Sequence, residues 1–273
     1  MPDATSAFTG KIPENYDRHL AALLFDPYAD DLVGRLSAHD GMRILEVACG
    51  TGIVTRRLVD KLAGRGTIIA TDINEAMFAH ARKGLPRRGD ATWRHADGTS
   101  LPFETRSFDA VVCQFGVMFF SDKAAGAREA LRVLRPGGVY ILSVWDSLEV
   151  NPVQRITHET VAGFFPADPP AFYTVPCSYH DVPTIEGLLR DAGFEGVRVE
   201  RVAKEGKSAS AAEAAIGLID GNPIFGEIMQ RRPEALPDIK AAVAARLARE
   251  LGDHPLRAPL RALVATARRP QAS

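Results

Sequence analysis

The chain has 273 residues, with 33 Lys and Arg against 34 Asp and Glu, for a formal net charge of −1. Hydrophobic residues make up 46% and charged residues 25%, an ordinary globular balance that excludes wholesale disorder. The neutral balance argues against a general nucleic-acid binder, which needs a basic surface, and no apolar run reaches the ~18 residues of a membrane span.

In chain order, short β-rich runs alternate with helical ones. Residues 1–40 read as an N-terminal helical segment whose start has no apolar signal core, so secretion is not indicated. Strands are expected over residues 43–48, 67–71, 91–95, 108–113, 139–145, 197–202 and 260–267. Helices are expected over 53–62, 74–83, 124–134 and 185–192, with Pro136-Gly137-Gly138 stopping the third. Such alternation predicts an α/β fold, a mostly parallel sheet with helices on both faces. Within a main domain spanning 41–273, residues 146–184 and 205–257 interrupt the rhythm. The first is rich in Pro and aromatics, the second mainly helical. Both are expected as lid or substrate insertions covering the ligand side of the sheet, because ligands in such folds bind beyond the strands' carboxyl ends. The three cysteines, Cys49, Cys113 and Cys177, form no CxxC pair and no even framework, which suits a reducing, cytoplasmic setting. Cys49 lies inside a glycine turn without a local base, and reads as structural rather than nucleophilic.

The turn Ile44-Leu-Glu-Val-Ala-Cys-Gly-Thr-Gly52 has the strand–turn–helix form of a nucleotide or nucleoside site. Gly50 and Gly52 permit backbone angles that a Cβ penalises and let a ligand approach the main chain. Asp72 follows the second strand, twenty residues after Gly52, where an acid can accept hydrogen bonds from ribose hydroxyls. The alternative for Asp72 is a helix cap or a surface charge. A dinucleotide fingerprint wants a third small residue where Thr55 stands, and the turn lacks the Lys-Ser/Thr ending of a phosphate loop.

Four segments together resemble the class I S-adenosylmethionine-dependent methyltransferases, and most closely the ubiquinone/menaquinone-biosynthesis C-methyltransferase subgroup. They are LEVACGTG (45–52), ATDINEAMFAHAR (70–82), HADGTSLPFETRSFDAVVCQFGVMFF (95–120) and EALRVLRPGG (129–138). The segment Asn15-Tyr-Asp-Arg-His-Leu20 is similar to the one preceding the core domain in these enzymes. The resemblance implies a Rossmann-like, doubly wound seven-stranded sheet with its last strand antiparallel, and S-adenosyl-L-methionine as cofactor. It implies that Ala48, Gly50 and Gly52 hold the methionine part, that Glu46 orients the turn and the ammonium group, and that Asp72 takes the ribose hydroxyls. Ile73 is then expected on the adenine with Met77 nearby, Asp97 and Gly98 on the adenine's amine and ring nitrogen, and Gln114 and Phe115 at the methionine end facing the acceptor. Each has a plainer alternative. Met77 can be core, Asp97-Gly98 an ordinary turn pair, and Gln114 a cap on backbone.

A small-molecule methyl acceptor is the expected partner, with no nucleic acid and no membrane, and a monomer or homodimer as the assembly. O-, C- and N-methylation stay open. Methyl transfer is expected to rely on orientation, which can lower a barrier by ~7–11 kcal/mol, more than on one dominant base. The base candidates are Tyr16 and His158 first, with Tyr173, Tyr179, His180 and His95 behind them. The His158-Glu159 pair lacks the second histidine of a metal-binding helix, so no metal is expected. Competing readings are a non-methylating protein that binds the same cofactor and a nicotinamide-dependent oxidoreductase, against which Thr55 and Asp97-Gly98 both count.

Overall fold

The structure, a computed structural model, describes residues 8–84 and 91–271. The first seven residues of the expected N-terminal segment therefore lie outside the described residues. In chain order the elements are α1 (Ile12–Asn15), a π-helical stretch (Tyr16–Phe25), α2 (Asp26–Gly34), β1 (Arg43–Val47), α3 (Ile53–Leu62), β2 (Thr67–Asp72) and α4 (Glu75–Gly84). There follow β3 (Ala91–His95), β4 (Phe108–Gln114), α5 (Lys123–Val133), β5 (Leu134–Trp145), α6 (Pro152–Gly163) and α7 (Val182–Asp191). The chain ends with β6 (Glu195–Ser208), α8 (Ala211–Asp220), α9 (Ile224–Arg231), α10 (Leu236–Leu251) and β7 (Leu256–Arg268).

The seven strands form one sheet in the order β3-β2-β1-β4-β5-β7-β6. The pairs β2–β3, β1–β2, β1–β4 and β4–β5 are parallel, and β7 runs antiparallel to β5. The expected Rossmann-like, doubly wound sheet with an antiparallel last strand is what is found. Strand order reverses between β1 and β4, so the crossovers leave in opposite directions and open a crevice at the carboxyl ends.

The chain divides into two compact units. The sheet unit comprises Tyr28–Trp145, Tyr179–Val202 and Ala262–Ser273. Its central strands are continuous apolar runs, as strands covered on both faces must be; Ile44, Leu45, Val111, Val112 and Ile141 are fully buried. The helix α3 turns Ile53, Val54, Leu58, Val59 and Leu62 inward and its charges outward, an amphipathic stripe of helical period. At the start of α5, Asp122 caps the helix by accepting from the Ala125 N–H at 2.8 Å.

Three boundaries differ from expectation. α5 ends at Val133, and Pro136-Gly137-Gly138 lies inside β5. The register with β4 slips there, from Phe108 opposite Leu134 to Ala110 opposite Val139. A proline and two glycines are thus accommodated in a bulge rather than ending the helix. β6 continues to Ser208 and β7 begins at Leu256, both longer than their apolar cores, since ladder pairing extends a strand past the residues that need burial.

The helical unit comprises Met1–Pro27, Asp146–Ser178 and Ala203–Arg261. A Cβ on Gly217 of α8 would sit 2.7 Å from His19 Cβ and 2.8 Å from Leu20 Cδ2, so only glycine allows that close approach. The α6 and α10 surfaces are joined by a network in which Arg246 pairs with Glu159 and Glu250, and Arg155 with Glu159. Asn151 ties the chain just before α6 to Arg261, donating to its carbonyl at 3.0 Å and accepting from its N–H at 2.8 Å.

Candidate functional site

The adjacent strands β2, β1 and β4 end together at the carboxyl edge of the sheet unit, with Asp72 and Gln114 closing β2 and β4 and Glu46 one residue before the end of β1. Past β1, the chain turns through Ala48 (φ 56°), Gly50 (φ 54°) and Gly52 (φ 81°). Past β4, it turns through Phe115 (φ 53°). Two non-glycine residues at positive φ at one edge mark backbone held in an uncommon conformation by its surroundings. The turn is fixed by backbone bonds from Cys49 N–H to the Thr71 carbonyl and from Gly52 N–H to the Cys49 carbonyl, both 2.9 Å.

Glu46 is 2% exposed, at the penultimate position of β1. Its Oε2 accepts from the Thr55 hydroxyl at 2.6 Å. Burial pushes its carboxyl up to about 8, opposed by the Thr55 hydrogen bond and reinforced by the nearby charge of Asp72. Thr55 thus has a positive role where a third glycine would stand in a dinucleotide site. Along the chain Thr55 only excludes a dinucleotide; its polarity one helical turn into α3 is the signal that points to the bond with Glu46.

Asp72 closes β2 and is 6% exposed. Its Oδ2 accepts from the Gly50 N–H at 2.7 Å, and its Oδ1 from the Asn74 N–H at 2.8 Å. Burial raises its carboxyl, while these N–H donors hold it down. The cap of α4 is Asn74, whose Oδ1 accepts from the Met77 N–H at 2.9 Å, so that alternative does not fall to Asp72. Next along, Ile73 is 39% exposed, an apolar side chain presented outward. The His95 Nε2 bonds to the Ile73 carbonyl at 2.8 Å, which braces this corner. Met77 is buried, and its Cε lies 3.6 Å from where a Cβ on Gly50 would be. It is core and turn neighbour at once.

Asp97 forms a tight local turn, with Oδ1 accepting from both the N–H and the hydroxyl of Thr99 at 2.8 Å. A Cβ on Gly98 would lie 2.5 Å from Phe120 Cζ and 2.8 Å from Val47 Cγ1. One on Gly126 would lie 2.5 Å from Phe120 Cδ2. The Phe120 ring is therefore wedged between two glycines. Gly116 is equally constrained: its Cβ would meet Ala48 Cβ at 2.5 Å and Cys113 Sγ at 2.8 Å. These roles of Phe120 and Gly116 are not legible in the sequence, because the contacts join distant segments.

Gln114 ends β4, half-buried. Phe115 stacks on Trp145, with centroids 4.0 Å apart and planes 7° apart, and Tyr28 meets both rings edge-on. The Tyr28 hydroxyl donates to the Val202 carbonyl at 3.1 Å. Cys49 is buried beside Ala70, Phe78 and Trp93, and burial raises its thiol well above the ordinary value, so it is an inert core residue.

The two leading base candidates, Tyr16 and His158, belong to the helical unit rather than to the sheet unit. The Tyr16 ring stacks on Phe25 at 4.5 Å. The Tyr173 hydroxyl donates to the Leu218 carbonyl and its ionisation is pushed up by burial, which removes it as a ready base. Among the described residues no group of three or more His, Cys, Asp or Glu is placed to hold a metal ion.

The donor set fits the group that the sequence resemblance implies. The glycine turn leaves open space at Gly50, where a Cβ would meet only Met77 within 4 Å. Asp72 bonds to that turn at Gly50, and Ile73 beside it is presented outward.

Comparison with known proteins agrees. The family described as "Methyltransferase domain" matches residues 44–138. The 2-methoxy-6-polyprenyl-1,4-benzoquinol methylase, mitochondrial, of Leishmania donovani is 34% identical over 188 residues, covering 59% of this chain and 65% of the relative. The ubiquinone/menaquinone biosynthesis C-methyltransferase UbiE of Idiomarina loihiensis is 37% identical over 173 residues, covering 58% and 68%. The chain thus spans about two thirds of the length of these relatives, and slightly less for the first. Among solved structures, the Haemonchus contortus phosphoethanolamine N-methyltransferase 2, in complex with phosphomonomethylethanolamine and S-adenosylhomocysteine, superposes with a TM-score of 0.61 at 17% identity, covering 95% of this chain and 57% of that one. At that identity the likeness is one of fold.

Proposed function

The chain belongs to the class I S-adenosylmethionine-dependent methyltransferases of the ubiquinone/menaquinone-biosynthesis type, and we propose that it methylates a hydroxylated aromatic ring, with a benzoquinol as the first acceptor to test. The observation that carries this reading is the gathering of Glu46, the Ala48–Gly52 turn and Asp72 at the ends of the paired strands β1 and β2, in a chain whose relatives are named for benzoquinol and ubiquinone/menaquinone methylation.

S-adenosylmethionine supplies a sulfonium methyl that is already electrophilic. The protein's task is then to hold an acceptor atom in line with it, worth up to ~7–11 kcal/mol in orientation. The backbone of Ala48, Gly50 and Gly52 would seat the methionine part, with Glu46 beneath the turn. Asp72 would accept from the ribose hydroxyls, Ile73 would cover the purine, and Asp97 with Gly98 would read its edge. Gln114 and Phe115 would border the methionine end. A ring carbon becomes nucleophilic when a ring hydroxyl gives up its proton; it gains the methyl and then loses its own hydrogen as a proton.

Within the helical unit aromatic side chains cluster, with Phe172 edge-on to Phe8 and Tyr173, side chains of the kind that an apolar-bodied acceptor needs. No helix among the described residues is long and apolar enough to cross a membrane. Free Cys49, Cys113 and Cys177 suit a reducing compartment such as the cytoplasm.

The test is incubation with methyl-tritiated S-adenosylmethionine and a short-chain 2-methoxy-6-prenyl-1,4-benzoquinol. Label in the ring product, with an equal yield of S-adenosylhomocysteine, is the expected result. Turnover only with other metabolites would overturn the acceptor. Tight cofactor binding with no methyl transfer to any acceptor would favour a non-methylating role.

A further inference from the structure

Glu46 and Asp72 are carboxyls on one face of the sheet unit. Glu46 on β1 lies opposite Ala70 of β2, and Asp72 comes two residues after Ala70, so strand alternation turns both side chains the same way. Both are almost wholly buried. Their hydrogen-bond donors are unequal. Asp72 accepts from two backbone N–H groups, those of Gly50 and Asn74, at 2.7 and 2.8 Å. Glu46 is met by Thr55, whose hydroxyl donates to it at 2.6 Å. The other groups facing Glu46 do not reverse the imbalance. Arg56 of α3 favours its ionised form, with a smaller effect than the opposing one of Asp72. Cys49 and Cys113 are thiols that burial keeps protonated. His95 acts on the other member of the pair, lowering Asp72.

Two neighbouring carboxyls shielded from water do not both ionise near neutral pH, and the one with the weaker donors keeps its proton. Here that one is Glu46, held up at about 8 by burial, with Thr55 opposing and Asp72 reinforcing. The pair then carries one negative charge rather than two. A cation at the turn changes the balance, because a positive charge favours the ionised form of a carboxyl beside it. S-adenosylmethionine has an ammonium in its amino-acid part, and Gly50 leaves open space at the turn to which Asp72 bonds.

We infer that Glu46 is the neutral member of this pair in the free protein and gives its proton to solvent when the cofactor's amino-acid end binds at the turn, so that cofactor binding is coupled to release of one proton. The O–H bond of Glu46 breaks, its electron pair stays on the carboxylate, and the proton passes to the buffer; the cofactor's ammonium keeps its own protons. This rests on the proposed seating of the methionine part by Glu46 and the glycine turn, and not on which acceptor is methylated. The effect on affinity has a definite sign. A proton released on binding makes binding stronger as pH rises, by about tenfold per pH unit at most, until Glu46 of the free protein is itself ionised.

The experiment is calorimetric titration of the whole chain with S-adenosylhomocysteine, which keeps the ammonium, at pH 7 in buffers of different ionisation heat. The dependence of the heat on the buffer counts the protons released, and about one per cofactor is expected. The Kd should fall by up to about tenfold per pH unit between pH 6 and 8. 5′-Methylthioadenosine, which keeps the adenosine and lacks the amino acid, should release none. Glu46→Gln leaves Asp72, Arg56 and His95 in place, and should bind S-adenosylhomocysteine with no proton release. Thr55→Val removes the hydroxyl that favours the ionised carboxyl, and should extend the pH dependence to higher pH. Should Glu46→Gln fail to fold, that shift carries the test, and an unmoved profile would overturn the inference. So would binding of S-adenosylhomocysteine to the parent with a buffer-independent heat, a proton release that survives Glu46→Gln, or an equal release with 5′-methylthioadenosine. No binding of S-adenosylhomocysteine at all would overturn the proposed seating itself, and the inference with it.

Discussion

The Thr55 hydroxyl donates to Glu46 Oε2 at 2.6 Å between two side chains that are almost wholly buried. That bond holds a carboxyl under the glycine turn without a full counter-charge. It explains why a threonine stands where dinucleotide sites place a small residue.

The raised Glu46 carboxyl makes stability depend on pH in a definite direction. Its folded value is about 8 against an ordinary 4.5. Between these values the unfolded chain has released the proton and the folded chain has kept it, so stability falls as pH rises from about 4.5 through 8. Each pH unit in that window costs ~1.4 kcal/mol at most, so the whole loss is on the order of a few kcal/mol. Glu46→Gln is expected to flatten this slope and to raise Tm at pH 8 above that of the parent, while weakening cofactor binding. Thermal unfolding at pH 5, 6.5 and 8 checks it; parallel curves for the two proteins would show that Glu46 is ionised throughout.

Asp72 serves both turn and ligand. Asp72→Ala removes acceptors from the Gly50 and Asn74 N–H groups and from the proposed ribose hydroxyls. One charge-assisted bond is worth ~1.5–3 kcal/mol, so cofactor affinity should fall about tenfold or more, with some loss of Tm. Calorimetric titration with S-adenosylhomocysteine measures it, and an unchanged Kd would remove Asp72 from the site.

Gly98 and Phe120 should behave as one packing unit. In Gly98→Ala the new methyl meets the Phe120 ring at 2.5 Å, and overpacking of this kind costs about 1–3 kcal/mol. The double variant Gly98→Ala/Phe120→Leu should recover part of that loss. Strict additivity in the thermodynamic cycle would mean that the two residues do not communicate.

Orientation rather than a single base is expected to dominate methyl transfer. A general base typically contributes ~10²–10⁴-fold. Tyr16→Phe keeps the ring stack on Phe25, and it and His158→Ala should each leave kcat within about a hundredfold of the parent. A thousandfold fall in kcat from either, at unchanged cofactor affinity, would assign that residue as the base.

Local sequence settled the sheet's central strands, the glycine turn and the strand-end acids, because these depend on neighbours within one strand–turn–helix. An apolar run such as Ile44-Leu45 between turn signals reads as a covered strand, and positive φ at Gly50 and Gly52 needs no distant partner. Where local sequence misleads, a distant partner decides. Pro136-Gly137-Gly138 ends a helix when read alone, yet the ladder with β4 extends β5 through it as a bulge. Gly98 has the form of a turn glycine, but its lack of a Cβ is required by Phe120, twenty-two residues away in sequence. The same holds for the electrostatics. The identity of Glu46 is plain in the motif, but its raised carboxyl comes from burial, and burial is a property of the whole sheet unit. Propensity, periodicity and turn chemistry act over a few residues and can be read along the chain. Desolvation and steric exclusion depend on what the rest of the molecule places alongside, and only the folded structure determines that.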